Sequence, residues 1–149
     1  MKPRYHIVWS LVISSVFYHI YASGLAFVVS LCAGIFIDVD HFLDYFLQEK
    51  VTLRVDKVFC WCAERRFKHM LILLHSLELV ILIWVFIYVF QLNLLWVALA
   101  LGLTQHLVLD MIFNGKVVYS HAYFLTYRVV HRFKKERLLR PEYLFLEKG

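Results

Sequence analysis

The chain has 149 residues, of which 62% are hydrophobic and 17% are aromatic, an apolar share well above that of a soluble domain. This composition excludes an ordinary soluble domain and predicts one small membrane domain. The net charge of +5 does not indicate a nucleic-acid partner, because no lysine or arginine lies within 5–49 or 69–115. Such clustering is typical of the positive-inside arrangement of membrane proteins.

The first apolar run is too long for one membrane helix, and Ser23-Gly24 is its best candidate turn. We therefore predict helices at 6–22 and 25–45, joined by a tight hairpin. The polar, basic stretch 46–68 is predicted to be a loop. The N-terminus is expected to be retained, because the first apolar run lacks a small-residue cleavage site before a polar region.

The second half of the chain predicts two further apolar helices, at 69–90 and 94–113, joined by a tight turn near Leu92. In the tail, a basic amphipathic helix is predicted at 117–139 and suits an anionic membrane surface. An ordinary solvated helix packed on the bundle is an open alternative for this segment. The basic residues that would share its polar face are Arg128, His131, Arg132 and Lys135.

The positions of the charges predict the topology. All 16 lysines and arginines lie in the N-terminus, in the 46–68 loop or in the tail, and both tight turns have none. With four spans, those three basic segments lie on one side of the membrane, which should be the cytoplasm. We predict an all-α, multi-pass four-helix bundle in the inner cell membrane, with both termini in the cytoplasm.

Histidine and carboxylate side chains inside apolar helices are costly unless something compensates them. A bound metal ion is an economical compensation for a mixed His/Asp cluster, and zinc is the expected ion. At a rise of about 1.5 Å per residue, such side chains from all four helices are predicted to share one layer near the cytoplasmic surface. The predicted metal ligands are His6, Asp38, His41, His75, His106 and Asp110.

Spacings of three or four residues place two side chains on one helix face. The pairs with this spacing are His106/Asp110, Asp38/His41 and His75/Glu78. Asp40 lies about 200° around a regular helix from Asp38, so both can face inward only if the helix ends there. Asp40 and Glu78 are predicted either to serve as general base or to orient a ligand histidine.

The remaining histidines and the cysteines give weaker signals. His19 is predicted at the opposite membrane surface, and His69 at the start of the third helix could face either way. His121 and His131 are expected to be solvated or to face lipid, although His121 could reach the rim of the site. Cys60-Trp61-Cys62 is spaced more closely than a usual zinc-binding pair, and reduced thiols are expected.

Three short segments together resemble the YdjM-like membrane-bound metal-dependent hydrolases. They are Ile37-Asp38-Val39-Asp40-His41, His75-Ser76 and Gln105-His106-Leu107-Val108-Leu109-Asp110. The resemblance covers about residues 6–115. The family pattern has an early histidine, a D-x-D-H after an apolar run, a T-H-S opening a helix, and an H-x-x-x-D late in the next apolar helix.

The resemblance implies metal ligands at Asp38, His41, His75, His106 and Asp110, with His6 as the early histidine. The family is held to be similar to zinc-dependent phospholipase C and single-strand nucleases, helical enzymes that bind several zinc ions and cleave phosphate esters. Here the arginine and glycine that usually precede the third motif are missing, and Phe42 stands where a proline is common.

The favoured function is metal-dependent hydrolysis of a phosphate ester or a lipid at the cytoplasmic membrane surface. Membrane lipid is the expected partner, and an anionic lipid suits the basic segments. An alternative is a non-catalytic metal-binding or metal-handling membrane protein, which the altered third motif favours. A third reading, a haem protein with two histidine ligands, gives no reason for the aspartates, because carboxylates are poor haem ligands.

Overall fold

The computed structural model describes residues 3–49, 51 and 54–144, and over these residues it is mostly helical. The helices are α1 (Pro3–Tyr21), α2 (Gly24–Phe36), α3 (Val39–Gln48), α4 (Val55–Ala63), α5 (Leu77–Phe90), α6 (Leu94–Asn114), α7 (Leu125–Val130) and α8 (Lys135–Leu138). No strand occurs in these described ranges, so the all-α prediction is confirmed there. Lys2, Lys50 and Lys148, which contributed to the predicted topology, lie outside the described residues.

The chain forms two compact units, where a single domain was expected. The first unit consists of Met1–Ile37 and Leu77–Phe113, and the second of Asp38–Ser76 and Asn114–Gly149. Helices α1, α2, α5 and nearly all of α6 therefore belong to the first unit. Helices α3, α4, α7 and α8 belong to the second.

The first unit buries several polar side chains beside small apolar ones, and it exposes many large apolar side chains. One stripe of α1 is buried at His6, Ser10, Ser14 and Phe17, the spacing of a single helix face. On the outer faces of α1 and α5, the exposed residues include Ile7, Val8, Trp9, Leu11, Val12, Ile81, Leu82, Trp84, Val85 and Phe86. Exposed apolar patches of this size mark surfaces that contact a membrane or another protein.

Small residues let the helices of the first unit approach closely. A Cβ atom added at Gly34 would overlap the side chains of Gln105 and Ser10, and one added at Gly102 would overlap the Ser30 carbonyl. Helix interfaces in membranes are typically built from such small residues, which bring the backbones together. The polar side chains then pair across the contact, Gln105 with Ser10 at 2.7 Å and Ser14 with Ser30 at 3.1 Å.

The polar interior of the first unit gives way to an apolar cluster at Phe17. This side chain packs with Ala26 and Ala98, which are completely buried. On α1 the cluster follows Ser14, so the polar stripe ends there. The two ends of this interior therefore differ in chemistry, with histidines at one end and hydrocarbon at the other.

The second unit has an apolar core to which both of its chain segments contribute. The buried members are Trp61, Phe67, Met70, Ile72, Ala122, Leu138 and Leu139. Within the predicted 46–68 loop, α4 forms because Val58 and Trp61, three residues apart, are both buried. The loop prediction was therefore wrong for Val55–Ala63, because charged neighbours concealed this short apolar face.

The third predicted helix begins later than expected, at Leu77 rather than at residue 69. Between Met70 and Ser76 the backbone pairs with distant groups in place of its own helix. The Met70 amide donates to the Phe133 carbonyl at 2.9 Å, and the Leu74 amide donates to Asp40 Oδ2 at 2.8 Å. These bonds take the place of intrahelical hydrogen bonds. The stretch is therefore a loop, although its apolar sequence predicts a helix.

The predicted amphipathic helix at 117–139 is also wrong. The structure divides the segment into a 3-10 turn at Ser120–Tyr123 followed by α7 and α8. Arg132 and Phe133 have φ angles of 53° and 56°, a left-handed conformation that ends a helix. Leu138 and Leu139 are buried in the core of the second unit, so the tail folds into that unit.

Within the described parts of the chain, two segments are long and apolar enough to cross a membrane, Gly24–Gln48 and Leu94–Asn114, and the predicted four spans are not confirmed. The first comprises α2, a turn at Ile37–Asp38 and α3. Helix α5 is apolar but has 14 residues, or about 21 Å at the helical rise, against a hydrocarbon core of about 30 Å.

Candidate metal centres

The six predicted ligands fall into two groups of three, one in each unit. His6, His106 and Asp110 form the first group, and Asp38, His41 and His75 form the second. In each group, one ligand atom from each residue lies within 4.8 Å of the other two. Each group could therefore hold a metal ion.

All three side chains of the first group are buried. His6 Nε2 lies 3.2 Å from Asp110 Oδ1, and His106 Nε2 lies 3.7 Å from Asp110 Oδ2. The two imidazole rings stack with their centroids 3.9 Å apart and their planes at 14°. The spacing of His106 and Asp110 on α6 turns both toward the same point.

The tautomer of His106 is set by the backbone of α2. Its Nδ1 lies 2.8 Å from the Gly34 carbonyl oxygen, which can only accept a hydrogen bond, so Nδ1 carries the proton. In the neutral ring, Nε2 then has the free lone pair and faces Asp110. An Nδ1–H bonded to a carbonyl is the arrangement that usually orients a metal-binding histidine.

His6 is held differently from His106. Its Nδ1 is buried and has no hydrogen-bond partner among the described residues. The ring is positioned by the stack on His106 and by the contact of its Nε2 with Asp110. A buried ring nitrogen without a partner costs free energy, so the first group is not a fully satisfied hydrogen-bond network.

The second group is more exposed, and it centres on one carboxylate oxygen. Asp38 Oδ1 lies 3.4 Å from His75 Nε2 and 3.7 Å from His41 Nε2. The His75 side chain is 1% exposed, whereas those of His41 and Asp38 are 25% and 16% exposed. One side of this group is therefore open.

Asp40 holds the opposite edge of the His75 ring. His75 Nδ1 lies 3.0 Å from Asp40 Oδ1 and 3.2 Å from Oδ2, so it donates its proton to this carboxylate and leaves Nε2 to face Asp38. Helix α2 ends at Phe36 and α3 begins at Val39, so Asp38 immediately precedes α3 and Asp40 lies in its first turn. The predicted helix at 25–45 is thus interrupted, and both aspartates reach the same imidazole.

The histidine–aspartate distances of both groups are compatible with a bound ion. Zinc ligands lie about 2.0–2.1 Å from the metal, which places neighbouring ligand atoms roughly 3.3 Å apart. The histidine–aspartate separations run from 3.2 to 3.7 Å, and all ligand atoms of a group lie within 4.8 Å of one another. Two imidazoles and a carboxylate are also a donor set that zinc accepts.

Glu78, the other predicted base, belongs to neither group among the described residues. It is half-buried in the first turn of α5. His19 is exposed in the last turn of α1. His69 is exposed and bonds through Nδ1 to the Arg132 carbonyl at 3.3 Å.

The tail histidines lie against an aromatic ring. His121 and His131 both contact the ring of Tyr127, at centroid distances of 4.3 and 4.0 Å. Neither is part of the two groups formed by the described residues.

All three cysteines are free thiols, and none belongs to either group. Burial, together with the nearby carboxylates of the second unit, raises the pKa of Cys62 to about 12. A hydrogen bond to Glu64 raises the pKa of Cys60. Both thiols therefore stay protonated at neutral pH, which does not favour thiolate ligands.

Three residues that bond to distant parts of the chain were missed by the sequence reasoning, and two of them, Gly34 and Arg128, bond to a residue of a group. Gly34 supplies the carbonyl that orients His106, and its spacing from Ser30 is a small-x-x-x-small signal that could have found it. Gln48 accepts from the amides of Lys68 and His69 at 2.8 and 3.1 Å. Arg128 donates to the carbonyls of Ile72 and His75.

Nothing in the local sequence marks Gln48 or Arg128, because their partners lie about 20 and more than 50 positions away.

Comparison of the chain with protein-family models, with curated proteins and with solved structures finds no match.

Proposed function

We propose that this chain is a membrane-embedded, metal-dependent hydrolase whose reaction takes place at the second group. One observation carries the proposal. His75 lies between two carboxylates, with Asp40 on Nδ1 and Asp38 on Nε2, beside a partly exposed His41. A buried, oriented ligand next to an open side suits a catalytic metal site more than a closed structural one.

Three protein ligands leave a further position of a tetrahedral ion for water or substrate. A divalent ion in such a site supplies Lewis acidity and activates water for attack on an ester. His75 and His41 present Nε2 to Asp38 Oδ1, and these three atoms form the proposed ligand set.

Asp40 has a positioning role in this proposal. Its Oδ2 accepts from the Leu74 amide, and both of its oxygens lie within 3.2 Å of His75 Nδ1. This carboxylate keeps the His75 proton on Nδ1 and raises the basicity of Nε2. Glu78 stays a predicted general base.

The membrane setting is part of the proposal. Four spans with the basic segments in the cytoplasm are supported by the apolar outer surface of the first unit and by the charge-free tight turns. The proposed substrates are phosphate esters, including lipid headgroups, because exposed Lys57, Arg66 and Lys68 of the second unit favour an anionic substrate. The resemblance to the YdjM-like family accords with this function.

The test begins with metal content. The protein is purified in detergent, and bound zinc is counted by mass spectrometry for the wild type, His75→Ala, and an exposed control, His19→Ala. We expect bound zinc in the wild type and the control, and less in His75→Ala. Phosphomonoester, phosphodiester and phospholipid substrates are then assayed with and without added zinc.

Hydrolysis that requires zinc and is abolished in His75→Ala supports the proposal, whereas a wild type without bound metal overturns it. Metal binding without turnover would point to the second candidate, a non-catalytic metal-binding or metal-handling protein. The first group favours that candidate, because all three of its ligands are buried and a closed site suits a retained ion.

A further inference from the structure

Arg128 is the largest fully buried side chain among the described residues, with no exposed surface. It lies in α7 of the second unit, within the segment predicted to be a basic surface helix. Burying a guanidinium is expensive unless its donors are satisfied. Its placement inside the second unit therefore calls for a specific use.

The Arg128 guanidinium spans the loop that carries His75. Nη1 donates to the Ile72 carbonyl, and Nη2 donates to the His75 carbonyl at 2.9 Å. A guanidinium presents its donors in a rigid planar fork, and this fork fixes two carbonyls of the loop relative to each other. No flexible single-point donor reproduces that geometry.

The contact matters because His75 precedes α5 and has no helix to orient it. Its backbone carbonyl is held by Arg128, and its ring is held by Asp40 through Nδ1. The adjacent Leu74 amide is bonded to the same carboxylate. Backbone and ring are thus fixed by two different residues, from α7 and from α3.

From this geometry we infer that Arg128 is a positioning residue of the second metal group. Arg128 fixes the backbone on both sides of Leu74. This restricts the orientation of the His75 side chain, so that its Nε2 faces Asp38. The C-terminal tail is then a part of the metal site. The inference deepens the proposed function and rests on it for the presence of the ion.

The experiment compares Arg128→Gln and Arg128→Lys with Arg137→Gln, an exposed arginine of α8. Each is made in two full-length backgrounds, one with the first group disabled by Asp110→Asn and one with the second disabled by Asp38→Asn. Zinc affinity is measured by competition with a chromophoric chelator, and thermal unfolding is recorded for every variant.

We expect Arg128→Gln to weaken zinc binding at the second group by roughly 10-fold or more, as loss of an outer support to a ligand does. Arg128→Lys should recover little of this, because an ammonium lacks the fork. Binding at the first group and all properties of Arg137→Gln should match the parent. Wild-type affinity at the second group, or an equal loss at both groups, would overturn the inference.

A readout without metal separates this inference from the proposed function. In metal-free protein with labelled histidines, nuclear magnetic resonance reports the Nδ1 proton of His75 in its bond to Asp40. We expect this signal to shift or disappear in Arg128→Gln and to persist in Arg137→Gln. An unchanged Nδ1 signal in Arg128→Gln overturns the inference about Arg128, whether or not the wild type binds zinc. A wild type that binds no zinc overturns only the proposed function.

Discussion

At the level of single residues, the imidazole of His75 shows how two nearby carboxylates acquire different tasks. Asp40 is buried and bonded to the protonated nitrogen, whereas Asp38 is partly exposed and faces the other nitrogen. The D-x-D-H spacing alone places these aspartates on opposite sides of a helix. In the structure both of them nevertheless reach one ring, each at a different nitrogen of His75.

Replacing Asp40 by asparagine tests this division. The amide is similar in shape but has no charge, so it supports the Nδ1 proton less strongly and lowers the basicity of Nε2. We expect Asp40→Asn to weaken zinc binding at the second group by roughly 10–100-fold and to leave the first group unchanged. Competition titrations in the two backgrounds described above measure both effects.

The matched control is Asp56→Asn, which removes an exposed carboxylate that pairs with Arg54 at 2.8 Å. A surface ion pair of this kind contributes little, so zinc affinity should match the parent. Equal affinities in Asp40→Asn and Asp56→Asn would contradict the role of Asp40.

The sequence could predict the site residues that follow helical periodicity. His106 and Asp110 lie one turn apart on α6, and the structure brings them together. His6 joins them from α1 because it begins the buried stripe of that helix. The sequence could not predict Arg128, because a tail arginine among other basic residues looks like part of a solvated face.

At the level of elements, the first group depends on how closely α2 approaches its neighbours. Gly34 has no side chain, which makes room for Gln105 and Ser10 and brings its own carbonyl to His106. The close packing of α2 and the orientation of His106 therefore both depend on the absence of a Cβ atom at Gly34. A residue that never touches the ion thus shapes its site.

Gly34→Ala should separate the helices. The new methyl overlaps Gln105 and Ser10, and overpacking of this kind costs about 1–3 kcal/mol. We expect a lower thermal unfolding midpoint and weaker zinc binding at the first group, measured on purified protein in one detergent.

The control for this change is Gly24→Ala at the start of α2. A Cβ atom there would meet no other atom within 4 Å, so its unfolding midpoint should be equal to or slightly above that of the wild type, since alanine favours helix. Equal midpoints for Gly24→Ala and Gly34→Ala would mean that the close contact at Gly34 does not stabilise the unit.

Helices whose hydrogen bonds are local could be located from the sequence, whereas loops held by distant residues could not. Helix α6 is observed at Leu94–Asn114, against 94–113 expected. The stretch before Leu77 is just as apolar, but Asp40, Phe133 and Arg128 take its backbone groups. The local periodicity of the sequence does not predict hydrogen-bond partners that lie so far along the chain.

At the level of the whole molecule, the proposed topology predicts which surfaces face the cytoplasm. Cysteines are introduced at Gln91, in a charge-free turn, and at Lys57, in α4, after the three native cysteines are replaced by serine. We expect an impermeant maleimide to label Gln91→Cys from outside sealed, right-side-out vesicles. Lys57→Cys should be labelled only after inversion.

This labelling pattern follows from the tendency of basic segments to stay in the cytoplasm. The two sites serve as controls for each other, since each should react from one side only. The reverse pattern would contradict the proposed sidedness, and labelling of both sites from one side would contradict the four-span arrangement.

The apolar cluster around Phe17 has a consequence for ion movement. A cation at the first group would meet Phe17, Ala26 and Ala98 beyond the serines of α1, and crossing hydrocarbon without ligands costs an ion several kcal/mol. Among the described residues of the first unit, this apolar cluster therefore does not favour a conducting pore. Reconstituted vesicles should not leak zinc down a gradient, and an ion lost from this unit should leave from the histidine end.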